Sequence, residues 1–197
     1  MNLDIRGCWS HSRVVFLRGC EMPKIKINMD EIEIFQCGGR DLSDIMQLQE
    51  DAFSHIKSER LLRRNDRDML KRCLFPPHTT LGVRHNGKLI AFGILYCGGK
   101  SDENLGYDAQ VPESELLITG NIKLVIVKSE YWGNGLQRFI IKHLETAAKS
   151  SGIKHLCATV SPENIHSVNN FKMLRYQFLV RKTKYDGHAR DIFYKSC

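Results

Sequence analysis

The feature that most constrains this chain is a glycine-containing turn between an apolar run and an amphipathic segment. Leu124-Val125-Ile126-Val127 has the character of a strand, Gly133-Asn134-Gly135 follows it, and apolar residues recur at helical spacing from Leu136 onward. Glycines let a backbone approach a ligand closely, and the first turn of a helix has unpaired N–H groups with a partial positive charge. The order of strand, turn and helix therefore predicts a site for phosphate or pyrophosphate.

Three other interpretations of this turn are less favourable. A Walker loop requires Lys-Ser/Thr after the second glycine, where Leu136-Gln137 stands, and a dinucleotide fingerprint requires a small residue where Arg138 stands. Asn134-Gly135 could instead form a hairpin turn, but the residues after it lack the alternation of a strand. A phosphate-binding turn before a helix remains the favoured interpretation.

A second informative segment lies downstream. His155–Val160 reads as a buried strand, and Ser161-Pro162-Glu163-Asn164 has the residues that begin a helix. In that helix, Asn164, Ser167 and Phe171 have the spacing of one face.

These two segments resemble the GNAT superfamily of N-acetyltransferases, specifically over residues 116–196 and more loosely over 31–96. The family pattern Arg/Gln-x-x-Gly-x-Gly/Ala is similar to Glu130–Gly135, and its later pattern of Asn, a small residue, an aromatic residue and Gly-Phe is similar to Asn164, Ser167, Phe171 and Arg175-Tyr176. The chain departs from these patterns at three positions. Glu130 replaces Arg or Gln, Phe171 replaces a tyrosine that protonates the leaving thiolate in many relatives, and Arg175 replaces a glycine.

The resemblance implies acetyl-coenzyme A as the co-substrate and direct attack of an amine on its thioester. It also implies that a backbone N–H group of the fourth strand polarises the thioester carbonyl, that the turn holds the pyrophosphate, and that the later motif lines the pantetheine arm. Because backbone N–H groups provide most of the phosphate binding, we expect Glu130 to weaken coenzyme binding without abolishing it. The cofactor-binding residues expected on this basis are Val125, Ile126, Val127, Trp132, Gly133, Asn134, Gly135, Leu136, Gln137, Asn164, Ser167 and Phe171.

The catalytic residues stay unassigned from the sequence. Some relatives carry a glutamate on the fourth strand, where Thr119 stands here. Glu115 could act as a base through water or be a solvated acid at the strand end, and Tyr176 could supply a proton or simply pack on the sheet. His166 points away from the Asn164 face, which favours a surface position.

The remaining pattern predicts an α/β (α+β) fold: a GNAT-like mixed, mostly antiparallel sheet flanked by helices, in the order β-α-α-β-β-β-α-β-α-β-β. His85-Asn86-Gly87 predicts a hairpin, and residues 98–114 predict a long loop. Strands are predicted at 31–35, 80–84, 88–96, 116–127, 155–160, 176–182 and 190–194, and helices after Asp41, over 59–74, from Leu136 and from Asn164.

The predicted second helix, residues 59–74, is strongly basic. Its arginines and lysines could form a solvated face with i,i+4 partners, or a patch near an acidic acceptor or an outer phosphate of the coenzyme. The chain as a whole carries 29 basic and 22 acidic residues, a net charge of +7 that favours anionic ligands. The same charge would suit a nucleic acid, but no nucleic-acid motif accompanies it, so we do not expect a nucleic acid as a partner.

At 197 residues the chain is predicted to be one domain, 28–197, preceded by an N-terminal extension, 1–27. The extension lacks the apolar core of a signal peptide, and Met22 could be an alternative start. No run is long enough to cross a membrane. Seven cysteines without a Cys-x-x-Cys pair indicate neither a disulfide framework nor a zinc site, so we expect no metal and a cytoplasmic protein with reduced thiols.

The function predicted from sequence is therefore transfer of an acetyl group to a primary amine of a small molecule, peptide or protein. The alternative is a non-catalytic coenzyme A-binding regulator of the same fold, which the residues at Glu130 and Phe171 would suit. The sequence does not identify the acceptor, and it allows a homodimer.

Overall fold

The computed structural model describes residues 24–56, 58–185 and 187–197, apart from the side chain of Glu59. Residues 1–23, which include Met22 and most of the extension predicted not to be a signal peptide, lie outside the described residues. The predicted domain boundary at residue 28 stays a prediction. Among the described residues, no helix is long and apolar enough to cross a membrane.

Within the described residues, seven strands form one mixed sheet. The strands are β1 (Ile32–Gln36), β2 (Thr79–His85), β3 (Lys88–Tyr96), β4 (Thr119–Val127), β5 (His155–Val160), β6 (Gln177–Lys184) and β7 (His188–Ser196), in the sheet order β1-β2-β3-β4-β5-β7-β6. Only β4 and β5 run parallel, and all other neighbours are antiparallel. The α-helices are α1 (Leu42–His55), α2 (Arg67–Arg72), α3 (Leu136–Ser150) and α4 (Ile165–Met173), which confirms the predicted fold class and element order.

The two faces of the sheet are covered by different elements. One buried cluster joins α3 and α4 to the sheet and contains Ile140, Leu144 and Phe193. A second cluster on the opposite face joins α1 and α2 to Phe92, Leu124 and other strand residues. Burial of these apolar side chains from water is the main driving force that fixes the layers.

The prediction of one helix over 59–74 is wrong. A single 3-10 turn covers Glu59–Leu61, and α2 begins only at Arg67, where the Asp66 carboxylate accepts a hydrogen bond from the Met69 N–H group at 2.7 Å. Between them, buried Gln49 of α1 donates to the Asn65 carbonyl at 2.8 Å and accepts from the Asn65 N–H group at 3.1 Å. This tertiary pairing holds the backbone in a non-helical conformation that helix propensity alone would not select.

The remaining boundaries differ only locally from the sequence-based expectations. A 3-10 helix, Glu113–Ile118, occupies what was predicted as the beginning of the fourth strand, so β4 starts at Thr119. Residues 98–112 contain no regular helix or strand, as predicted, and they cover part of the sheet through Leu105, which packs against Cys157 and Ile192.

Candidate active site at the fork between β4 and β5

Strands β4 and β5 part in the middle of the sheet. Their parallel pairing runs from Thr119 opposite His155 to Ile122 opposite Ala158 and ends there. A bulge coincides with this point, because Ile94 of β3 lies opposite Leu124 while Leu95 lies opposite Ile122, which leaves Lys123 as the extra residue. The two strands therefore diverge into a fork that begins at Lys123.

The fork exposes backbone groups of β4. The Lys128 N–H group donates to the Ile90 carbonyl at 2.8 Å, so alternate residues of β4 face β3. By this alternation Ile126 pairs with β3, whereas the N–H groups of Val125 and Val127 point into the fork. Of the predicted β4 residues, Val125 and Val127 have backbone donors in the position expected to contact an acyl carbonyl, and Ile126 does not.

The turn after β4 forms a row of available N–H donors. Gly135 precedes α3 with a φ of 76°, and no side chain caps this helix. Within the described ranges, the backbone N–H groups of residues 133–138 make no hydrogen bond to the backbone. The first turn of α3 also contains no acidic residue. The row is therefore suited to bind an anion through donors that folding has left without partners.

The carboxylate of Glu130 is neutralised locally. It lies 2.7 Å from the Lys128 ammonium, and this hydrogen bond raises the pKa of Lys128 above its ordinary value. Two further cations approach the turn: Lys24, whose ammonium lies 4.7 Å from the centre of the Trp132 ring, and Arg138, whose guanidinium lies close to Gly135. Neither was predicted as a site residue. Lys24 reaches the turn only through tertiary contacts, and the Arg138 guanidinium is oriented by its hydrogen bond to Asn170 of α4 at 2.9 Å.

The N-terminal segment Lys24–Ile27 is hydrogen-bonded to the outer side of the turn. The Ile25 N–H group donates to the Glu130 carbonyl at 2.8 Å, and the Lys24 ammonium donates to the Ser129 carbonyl at 3.1 Å. The predicted residue Asn134 uses its side chain here, donating to Ile25 and Tyr131 carbonyls at 2.7 and 3.0 Å. Trp132, 41% exposed, donates from its indole nitrogen to the Val127 carbonyl at 2.8 Å, at the entrance to the fork.

The structure joins the first turn of α3 to α4. Gln137 donates to the Ser167 hydroxyl at 3.0 Å and accepts from Asn170 at 2.6 Å, while Arg138 donates to Asn170 at 2.9 Å. Asn164 caps α4 by accepting from the Ser167 N–H group at 3.1 Å. Leu136 and Phe171 are buried in the core, so they support the site from behind.

The two candidate catalytic residues lie outside the fork. The Glu115 carboxylate accepts a hydrogen bond from Nε2 of His155 at 2.6 Å, and Nδ1 of His155 contacts the Tyr194 hydroxyl at 2.9 Å. His155 lies opposite Thr119, six residues and about 20 Å along β4 from Val125. Tyr176 is 3% exposed and packs edge-on against Phe171, and burial, together with the charge of Glu145, raises its pKa well above the ordinary value.

No group of three or more His, Cys, Asp or Glu residues in the described part of the chain is arranged to hold a metal ion. His166 is exposed on α4, where the sequence predicted it. The chemical resources of the site are therefore a row of backbone donors, the open edge of β4 and the polar groups that border the fork.

Comparison with solved structures shows the same fold in several bacterial proteins. A probable acetyltransferase from Staphylococcus epidermidis is 18% identical with a TM-score of 0.64, and the match covers 84% of this chain and 98% of that one. The ribosomal-protein-S18-alanine N-acetyltransferase from Escherichia coli is 17% identical with a TM-score of 0.64, covering 84% and 93%. A putative acetyltransferase from Salmonella typhimurium, solved with its cofactor acetyl-CoA, is 16% identical with a TM-score of 0.64, covering 84% and 94%.

A search of curated protein sequences gave no match. The sequence model of the Acetyltransferase (GNAT) family, however, matches residues 42–174, which include α1, β4, the turn, α3 and α4. The match covers well over half of the chain and includes the fork that the structure reveals. This chain belongs to the GNAT acetyltransferase family.

Proposed function

We propose that this protein is an N-acetyltransferase that moves the acetyl group of acetyl-coenzyme A to a primary amine by direct attack. The proposal rests on the backbone N–H groups of residues 133–138, which have no backbone partner among the described residues and lie close in sequence to the open edge of β4. The cofactor in the Salmonella typhimurium structure and the N-acetyltransferase activity in the name of the Escherichia coli protein support the choice of donor and acceptor.

The residues of the turn fit a pyrophosphate. Gly133, with φ of 89°, and Gly135, with φ of 76°, adopt left-handed conformations that direct successive N–H groups to one side. An added Cβ at Gly133 would meet no atom within 4 Å, so the surface of the turn is open to a ligand. In this arrangement the turn would hold the phosphates, with Lys24 and Arg138 near enough to add positive charge.

When bound, acetyl-coenzyme A supplies a thioester whose carbon–sulfur bond is exchanged for a carbon–nitrogen bond, while one amine proton ends on the sulfur. The N–H groups of Val125 and Val127 would donate to the carbonyl oxygen as it gains negative charge, which is the type of stabilisation that preorganised backbone donors provide. The amine must attack in its neutral form, although an alkyl amine has a pKa of ~10. The amine therefore has to lose the proton that makes it an ammonium before the carbon–nitrogen bond forms.

A non-catalytic coenzyme-binding role is the second candidate. It is favoured by the absence of a hydroxyl at Phe171 and by the burial of Tyr176 within the core, since neither residue can protonate a thiolate in the fork. Direct N-acetyl transfer does not require a dedicated acid if water reaches the sulfur, so this observation does not outweigh the open edge of β4.

The first experiment is calorimetric titration of the full chain with acetyl-coenzyme A, followed by a thiol-release assay with a panel of amines. Micromolar binding with turnover on at least one amine would support the enzyme. Binding of similar strength with no thiol release above the rate without protein would support the regulator. Absence of binding at millimolar coenzyme would contradict both candidates.

A further inference from the structure

A second opening lies over the fork, on the face of the sheet covered by α1 and α2. Lys123 and Thr159 are the first residues of β4 and β5 after their pairing ends. The Lys123 ammonium lies 3.4 Å from a carboxylate oxygen of Glu103, and the Thr159 hydroxyl lies 3.4 Å from the hydroxyl of Tyr185. Glu103 thus lies against β4 and Tyr185 against β5 at the point where the strands part. The space between these two residues therefore lies over the fork.

This space is a cavity of about 250 Å³. It opens between the segment before α2, the loop 98–112 and the β6–β7 turn. Its lining residues are Arg63, Asp102, Glu103, Leu105, Lys184 and Tyr185. The cavity is large enough for a small organic molecule but smaller than the usual site for a drug-sized ligand.

Arg63 is held at the edge of this cavity by an aromatic ring. The centre of its guanidinium lies 4.2 Å from the centre of the Tyr185 ring, an arrangement that orients the planar group while leaving its N–H donors at the rim. Among the described residues, its nearest carboxylate oxygen is that of Glu103 at 3.9 Å, which is too long for a hydrogen bond. Arg63 makes no side-chain hydrogen bond to another described residue, so it can donate a bidentate pair to a carboxylate.

The neighbouring cations are engaged elsewhere. Arg64 pairs with Glu50, the Arg67 guanidinium contacts the Met46 sulfur at 3.3 Å, and Lys184 lies 2.6 Å from Asp108. Of the basic side chains in residues 59–74, Arg63 is the one among the cavity's lining residues. The sequence allowed either a solvated face or a patch near an acidic acceptor for this basic segment. The first description fits Arg64, which pairs with Glu50 on the surface, and the second fits Arg63, which lines the cavity.

Glu103 provides the opposite charge at the same place. Its side chain is 36% exposed, so it can contact a ligand while Lys123, at 11% exposed, balances it from below. Lys123 is also within 4.5 Å of the centre of the Tyr96 ring, which fixes the ammonium at the bulge. A carboxylate and a guanidinium thus face the same small space. The Lys123 ammonium holds the carboxylate in place, and the Tyr185 ring holds the guanidinium.

We propose that this cavity binds the acceptor and that the acceptor is a small α-amino acid, with its carboxylate on Arg63 and its ammonium on Glu103. An α-amino acid carries both charges on one carbon, which matches the neighbouring Arg63 guanidinium and Glu103 carboxylate, whose nearest atoms are 3.9 Å apart. Because Glu103 contacts Lys123, where the fork begins, an amine held by Glu103 would face the fork in which the N–H groups of Val125 and Val127 would hold the thioester carbonyl. This inference rests on the proposed acetyltransfer and adds to it the class of acceptor and the residue that selects it.

The test uses pairs of acceptors that differ only in the α-carboxylate: alanine and ethylamine, phenylalanine and phenethylamine, glutamate and 4-aminobutyrate. Thiol release would be measured for the wild type, Arg63→Met, Arg63→Lys and the control Arg67→Met, each with its acetyl-coenzyme A affinity. We expect the wild type to prefer the amino acid of at least one pair. Arg63→Met should raise KM for that amino acid about tenfold or more and leave KM for its amine within twofold.

Arg63→Lys should recover only part of the loss, since an ammonium cannot bind a carboxylate in a bidentate manner, and Arg67→Met should match the wild type. Equal use of both members of every pair, or equal impairment of both members in Arg63→Met, would overturn the acceptor class. Turnover restricted to peptides with a free N-terminus would overturn it as well. If the wild type does not bind acetyl-coenzyme A at all, the proposed function itself is contradicted. This result is distinct from coenzyme binding without selection for the α-carboxylate, which contradicts only the acceptor class.

Discussion

The side-chain nitrogen of Asn134 lies 2.7 Å from the backbone oxygen of Ile25, so the turn between β4 and α3 is hydrogen-bonded to the segment that precedes β1. The same nitrogen lies 3.0 Å from the Tyr131 carbonyl, and the side-chain oxygen lies 3.4 Å from the Ile27 N–H group. Asn134 thus connects three points of backbone. It shapes the candidate phosphate site and leaves the N–H groups of the turn available.

Replacing Asn134 with alanine should destabilise the protein by roughly 1 kcal/mol. It removes the hydrogen bonds to the carbonyls of Ile25 and Tyr131, which accept no other hydrogen bond from a described residue. Urea denaturation gives the free energy of unfolding. Asn169→Ala is the control, because Asn169 is exposed and its side chain makes no hydrogen bond to a described residue. Equal stability of the two variants would show that the side-chain hydrogen bonds of Asn134 contribute nothing to stability.

Gly135→Ala and Gly87→Ala form a matched pair at left-handed positions. Their φ angles are 76° and 73°, and neither added Cβ would approach another atom closer than 3.4 Å. We expect each substitution to cost about 1–2 kcal/mol of stability through backbone strain. Only Gly135→Ala should lower acetyl-coenzyme A affinity in calorimetry, since Gly87 lies in the β2–β3 turn. If both variants bind the coenzyme equally well, the turn before α3 is not the phosphate site.

Glu130→Gln removes the acidic charge that departs from the family pattern. The variant leaves the Lys128 ammonium without its carboxylate partner at 2.7 Å and so makes the turn more positive. Coenzyme affinity should rise a few-fold at low ionic strength and less at high salt, because exposed charges are screened. The control is Glu113→Gln, whose exposed partner is Lys100. A fall in affinity would mean that the Glu130–Lys128 pair is needed to shape the turn.

The pair Glu103–Lys123 should make stability depend on pH. Burial by itself would raise the pKa of Glu103, but Lys123, Tyr96 and Arg63 outweigh it and hold the pKa below the ordinary value of 4.5. The folded state thus binds the Glu103 proton less tightly than the unfolded state does. The contribution to stability is present above about pH 4.5 and is lost as the pH falls through the folded-state pKa.

Glu103→Gln should therefore be less stable than the wild type at pH 7, and the difference should shrink in acid below pH 4.5. Urea denaturation at a series of pH values measures it. Glu50→Gln is the control, because Glu50 and Arg64 form an exposed ion pair of small expected contribution. If the difference in free energy of unfolding between wild type and Glu103→Gln stays constant from pH 7 into acid below pH 4.5, the pKa of Glu103 is not lowered by folding.

Local signals in the sequence were enough to predict the turn, the main helices and the hairpin. Gly133-Asn134-Gly135 and the apolar spacing from Leu136 predicted a turn followed by α3, and Asn86-Gly87 predicted the β2–β3 hairpin. Each depends on residues close in the chain, whose backbone preferences act without distant partners. The resemblance to the GNAT family placed these elements in the correct order.

The sequence by itself thus determined the family, the order of helices and strands along the chain, and the position of the glycine-containing turn before α3. Periodicity and glycine conformation are local properties, and the family motifs are short segments of the chain. Only the tertiary structure showed that Gln49 keeps Asn65 out of a helix, that Lys24 and Arg138 approach the turn, and that Glu115 lies at the far end of β4. It also showed that Arg63, among several arginines close together in the sequence, lines the cavity beside Glu103. Contacts between residues far apart in the chain decide which side chains share a pocket, and no local pattern encodes those distances.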